Sequence, residues 1–68
     1  MKVSVNGEQR ELFEGITLAE LVERSTGERG RRGIAVAVDA EVVPRSAWER
    51  TELREGQSVE LVSAIQGG

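Results

Sequence analysis

Apolar and polar residues alternate at the two ends of the chain, and a stripe with helical period lies between them. Met1, Val3 and Val5 alternate with Lys2 and Ser4, the two-residue period of a half-buried strand. Asn6-Gly7 follows, a dipeptide suited to the positive φ angles of a tight hairpin turn. Residues 9–13 are therefore expected to return alongside the first strand. On that return Leu12 shares the inward face with Val3 and Val5, and adjacent Phe13 points the other way. Glu14-Gly15 ends the hairpin.

Thr17 and Glu20 have the spacing of a capping box, and Ile16 and Leu21 are placed for a hydrophobic staple. A helix over residues 17–27 is predicted, with Leu18, Leu21 and Val22 on its apolar side and Gly27 as a left-handed stop. Residues 28–33 hold two glycines and three arginines without an apolar side chain, the composition of a loop. Ile34, Val36 and Val38 form the inward side of a third strand whose outward side is only Ala35 and Ala37.

Asp39-Ala40 turns the chain into a short strand, Glu41-Val42-Val43, which Pro44 ends because it lacks the N–H a ladder requires. Ser46 and Glu49 repeat the capping-box spacing, but polar residues 50–52 leave room for only about one turn of helix, anchored by Trp48. Glu55-Gly56 is a turn, and residues 58–64 are the last strand, with Val59 and Leu61 inward. A small mixed sheet wrapped on one helix is the layer arrangement that buries the stripe.

Composition narrows the chemistry. Sixty-eight residues suit one domain, residues 1–68, whose ordering costs on the order of 100 kcal/mol against a similar gain from burial. That size leaves no volume for an enclosed substrate pocket. With no cysteine and no histidine, thiol nucleophiles, disulfides, the usual zinc sites and histidine bases are excluded. A net charge of -3 argues against nonspecific nucleic-acid binding. No apolar run approaches the roughly 20 residues of a membrane span, and no signal-peptide core precedes the first strand, so a cytoplasmic location is expected.

The last strand runs directly into Gln66-Gly67-Gly68. A glycine pair has no side chains to fill a narrow channel, so a partner enzyme can thread the final carboxylate into its active site. A frayed end that happens to finish in glycine is the alternative that composition leaves open.

Together these features resemble the β-grasp fold of ubiquitin-like proteins, and more closely the sulfur carriers of thiamine and molybdopterin biosynthesis. The resemblance to the thiamine-pathway branch, the ThiS family, covers the whole chain. It is carried by Val5-Asn6-Gly7-Glu8, by Ile34-Ala35-Val36-Ala37-Val38-Asp39, by Val42-Val43-Pro44-Arg45-Ser46-Ala47-Trp48, by Leu53-Arg54-Glu55-Gly56-Gln57, and above all by Val59-Glu60-Leu61-Val62-Ser63-Ala64-Ile65-Gln66-Gly67-Gly68. The Val-Pro-Arg-Ser-x-Trp segment and the Ala-Ile-Gln-Gly-Gly ending favour this branch over the molybdopterin carriers.

The resemblance implies an α+β fold with first and last strands adjacent and parallel and a flexible tail over residues 65–68. It implies a carrier, not an enzyme. The Gly68 carboxylate would be adenylated by an E1-like adenylyltransferase of the ThiF type, converted to a thiocarboxylate by a sulfur-donor system, and presented to a thiazole synthase of the ThiG type. No cofactor is bound by the carrier, since ATP and magnesium belong to the activating partner. A ubiquitin-like protein modifier or a molybdopterin-type carrier would use the same activated carboxylate. The chemistry suits the residues: a terminal carboxylate with pKa near 3.5 is charged and a poor electrophile at neutral pH, and attack on the α-phosphate of ATP makes it an anhydride that sulfur can open.

Other candidates divide between surface and site. Arg29, Arg31 and Arg32 lack interleaved aromatic residues and read as a solvated loop. Asp39 and Glu41 are too few oxygen ligands for a hard cation. Phe13 is either a lone exposed aromatic or, as a cross-strand neighbour of Val62, part of one docking face. Ile65, just before Gln66, Gly67 and Gly68, is expected to seat the tail on a partner. Arg45 fits an ion pair across that contact or an ordinary surface position.

Overall fold

The computed structural model describes residues 1–26 and 33–63. In chain order the elements are β1 (Lys2–Val5), β2 (Glu8–Glu11), α1 (Leu18–Thr26), β3 (Ile34–Val38), β4 (Glu41–Val43), a 3₁₀ helix (Arg45–Arg50) and β5 (Ser58–Ser63). The strands form one sheet in the order β2-β1-β5-β3-β4. β1 and β5 are adjacent and parallel, and the other pairings are antiparallel. The sheet and its one main helix form the α+β, β-grasp arrangement that the element order implies.

Alternation decides which side of each strand is buried. Val3 and Val5 of β1, Val36 and Val38 of β3, and Val59 of β5 share a core with Ile16, Leu18, Leu21 and Val22 of the helical segment. Full burial of a Val, Leu or Ile side chain contributes about 1.5–3 kcal/mol, so these residues carry most of the sheet-to-helix adhesion. Met1 and Leu12 pack against the same core, which places Leu12 inward as the pattern predicts.

The capping box closes as its spacing requires. Glu20 N–H donates to Thr17 Oγ1 at 3.2 Å, and Thr17 N–H donates to Glu20 Oε1 at 2.9 Å, so two amides at the start of α1 are satisfied reciprocally. The segment after the 3₁₀ helix then clasps this end: Leu18 N–H donates to Thr51 O at 2.8 Å and Leu53 N–H to Ile16 O at 3.0 Å.

The second spacing, Ser46–Glu49, falls inside the 3₁₀ helix. The 3₁₀ helix takes six residues, begins directly after Pro44, and has no side-chain cap. Its i→i+3 bonds, such as Ala47 N–H to Pro44 O at 2.9 Å, differ from the α-turn geometry that the Ser46–Glu49 spacing presupposes. Trp48 is nonetheless the anchor expected of it. Its indole is buried, and Nε1–H donates to Val43 O at 3.0 Å. The expected helix stop at Gly27, the arginine-rich loop and the tail from Ala64 onward lie outside the described residues.

Candidate functional site

β5 is the strand that leads in sequence to Gly67-Gly68, so the site is built around it. β5 lies between β1 and β3, but the two neighbours cover it unequally. β1 pairs only with Ser58 and Val59, whereas β3 pairs with β5 from Val59 to Ser63.

The two hairpin turns hold β5 from either side. Between β1 and β2, Asn6 (φ 52°) donates its N–H to Val59 O at 2.9 Å and accepts the Leu61 N–H on Oδ1 at 2.8 Å. Between β3 and β4, Asp39 (φ 51°) donates its N–H to Ser58 O at 2.7 Å and accepts the Ser58 N–H on Oδ1 at 3.0 Å. Asn and Asp tolerate the left-handed region better than other non-glycine residues. They also carry the short acceptor that reaches a neighbouring strand. The sequence marks both positions as turns, but their bonds to β5 depend on which strand the fold places alongside.

The face of β5 away from the helix carries Ser58, Glu60 and Val62, since Val59 and Leu61 take the inner side. Across the ladder Val62 pairs with Ala35, Glu60 with Ala37, and Ala37 with Val42 of β4. Val62 and Val42 are 57% and 72% exposed. Two valines and two alanines thus form a low platform beside the strand that leads to the tail. Val42 was not among the expected site residues. The signal for it is its place next to Val43, which turns inward opposite Val36.

Phe13 belongs to a different place. Extending the β1–β2 and β1–β5 registers sets it level with a point eight residues back along the line of β5 from Val62, roughly 26 Å at about 3.3 Å per residue. Its ring, 46% exposed, lies under the Arg24 guanidinium of α1 at 5.0 Å from the centroid, a cation–π contact on the helix side. Phe13 and Val62 therefore do not share the single face expected of them, because β1 lies between β5 and β2, the strand that precedes Phe13, and the parallel offset carries the two residues to opposite ends. Arg45 is exposed and follows β4, which runs in the same direction as β5. It leaves the sheet at the Val62 end. Ile65, Gln66, Gly67 and Gly68 lie outside the described residues.

The described residues contain no cluster of three or more acidic side chains placed to hold a metal, and the Asp39 carboxylate is engaged by the Ser58 amide. The clear pKa shifts lie far from the platform. The Met1 amine and Glu11 carboxylate meet at 3.0 Å, and the hydrogen bond between them raises the amine pKa and lowers that of the carboxyl. Among the described residues no helix is long and apolar enough to cross a membrane.

Comparison with known proteins gives a consistent picture. The model of the ThiS family matches residues 3–68. The chain is 36% identical over 70 residues to a thiazole synthase of Paramagnetospirillum magneticum, with all of the chain aligned but only 20% of that relative, so it spans about a fifth of the relative's length. It is 28% identical over 68 residues to the sulfur carrier protein ThiS of Escherichia coli, covering 100% of both. The crystal structure of a thiamine biosynthesis protein (ThiS) from Geobacter metallireducens superposes with a TM-score of 0.83 at 26% identity over 100% of both chains. The solution structure of a thiamine biosynthesis protein from the same organism gives 0.79 at 26% identity, covering 100% of this chain and 88% of the other.

Proposed function

The chain belongs to the ThiS family, and from that membership we propose that it is a sulfur carrier of thiamine biosynthesis that holds sulfur on the Gly68 carboxylate. The observation that carries this reading is the extent of the family match, which runs through residue 68 and so takes in the glycine pair. Likeness over the full length of a sulfur carrier protein and of a solved ThiS structure supports the same function.

The chemistry assigned to the chain is that of a cosubstrate. One oxygen of the Gly68 carboxylate attacks the α-phosphate of ATP on a ThiF-type enzyme, pyrophosphate leaves, and an acyl adenylate forms. Sulfur from a persulfide then attacks the acyl carbon and AMP leaves. A thiol reduces the remaining sulfur–sulfur bond and frees the thiocarboxylate for a ThiG-type thiazole synthase. The chain has no histidine or cysteine, so proton transfers and the persulfide fall to the partners. Gly67 and Gln66 are assigned to lead the carboxylate into the partner, and Ile65, Val62 and Arg45 to contact it, Val62 and Arg45 lying where β4 and β5 finish.

An extension of one residue beyond Gly68 tests this reading in a reaction reconstituted with ATP, the activating enzyme and a sulfur donor. The extension displaces the carboxylate by about 3.5 Å, and thiocarboxylate formation is expected to be abolished. Undiminished formation on the extended chain refutes the terminal-carboxylate mechanism.

A further inference from the structure

Glu60 is the one charged side chain among the outward-facing residues of β5, β3 and β4, where its neighbours are Ser58, Val62, Ala35, Ala37 and Val42. It is exposed and sits opposite Ala37, whose methyl group offers no hydrogen bond. The ion pairs among the described residues join Met1 to Glu11 and Arg10 to Glu8; neither involves Glu60. Lys2, on the outer face of β1, is level with Gly56, four residues back along β5, or about 13 Å at about 3.3 Å per residue. Among the described residues the carboxylate therefore stands beside small apolar groups and the Asn6 turn, with no charged partner.

Such a group is harmless while the face is wet. Covered by an apolar surface alone it would lose its hydration with no compensation, a penalty of several kcal/mol. A protein that docks on this platform has to bring hydrogen-bond donors to Glu60, and a cation is the strongest of them.

We infer that the platform docks on a thiazole synthase surface that sets a guanidinium or ammonium against Glu60, ringed by apolar side chains meeting Val62, Ala35, Ala37 and Val42. This rests on the carrier assignment above; the likeness to part of a thiazole synthase selects the occupant, and two further observations describe the contact. The platform is continuous with β5, the strand leading to the tail that the synthase must receive. A segment similar to the whole of this chain forms a fifth of a thiazole synthase, and joining two modules in one chain keeps them at high effective concentration. The unpaired charge fixes the sign of the facing group. Glu60 then acts in partner choice, since a charge pair desolvated at the centre of a contact discriminates far more than one at its rim.

The test is binding of the full chain to the thiazole synthase of the same cells at about 0.05 M and about 0.5 M salt, with Glu60→Asp, Glu60→Gln and Glu60→Lys. Wild-type binding is expected to weaken as salt rises and Glu60→Asp to follow it. Glu60→Gln should bind less tightly at low salt with a flatter salt response, and Glu60→Lys should bind at least about tenfold more weakly. Circular dichroism and thermal melts should stay at wild-type values, because the side chain is exposed. Equal binding by all four chains at both salts overturns the inference. So does a loss of binding confined to the activating enzyme, or self-association of the wild type through this face. Thiocarboxylate formation is read separately by mass: its absence in the wild type overturns the carrier assignment, while the binding comparison still decides the role of Glu60.

Discussion

The side-chain oxygen of Asn6 accepts the backbone N–H of Leu61 at 2.8 Å, so the turn that closes the first hairpin also braces the strand leading to Gly68. Past Val59, β1 has no backbone left to offer, and the amide side chain supplies the next acceptor. Asn6→Gly keeps the positive φ but loses this bond and should cost about 1 kcal/mol. Asn6→Ala loses the bond and also exchanges a residue that tolerates the left-handed region for one that tolerates it less, so it should cost up to roughly 1 kcal/mol more. Urea denaturation of the two variants beside the wild type should show that order; equal midpoints for all three would mean the bond is idle.

Ala40 is held at φ 70°, a conformation that penalises any residue with a Cβ. Ala40→Gly relieves that penalty and should raise stability by about 1 kcal/mol, or about 4–8 °C in Tm for a domain of this size. A fall in Tm would show that backbone entropy outweighs the relieved strain here.

Trp48 closes one end of the core and binds Val43 O through its indole N–H at 3.0 Å. Trp48→Phe keeps most of the apolar volume but removes the donor and should cost about 1–3 kcal/mol. Trp48→Ala should cost about 3–5 kcal/mol, a large share of the roughly 3–10 kcal/mol expected for a chain of this length. Chemical denaturation gives both values, and a Trp48→Ala chain as stable as the wild type would remove the residue from the core.

The Met1 amine and Glu11 predict a shallow stability plateau. The carboxyl pKa is depressed below its ordinary 4.5, so its contribution is present above that value and is lost as pH falls through the folded pKa. The amine pKa is raised above its ordinary 8.0, so its contribution is present below 8.0 and is lost as pH rises through the folded pKa. Both groups meet solvent, which keeps the effect small. In Glu11→Gln the amine should titrate closer to 8.0, as followed by NMR; an unchanged amine pKa contradicts the pairing.

Local chemistry made much of this fold legible. Asn6-Gly7, the Thr17–Glu20 box and the alternation through Ile34, Val36 and Val38 each depend on residues close in sequence, and each has the expected form. The Ser46–Glu49 spacing marks a helical segment but does not distinguish an α turn from the six-residue 3₁₀ helix that forms after Pro44. Phe13 and Val62 were each exposed as expected, but their separation depends on strand order and on the parallel offset of β1 against β5, which no local pattern encodes. For the same reason the platform of Val62, Ala35, Ala37 and Val42 was legible only as separate outward residues.

The most direct test of sulfur carriage is intact-protein mass spectrometry of the chain recovered from its own cells, with fragmentation that reads the C-terminal residue. A fraction of the chain is expected to be heavier by about 16 daltons, the replacement of one oxygen by sulfur, with the added mass on Gly68. That fraction should disappear when the activating enzyme is deleted. Gly68 found only in amide linkage to lysines of other proteins, with no thiocarboxylate in any preparation, would contradict the assignment and identify a covalent modifier in its place.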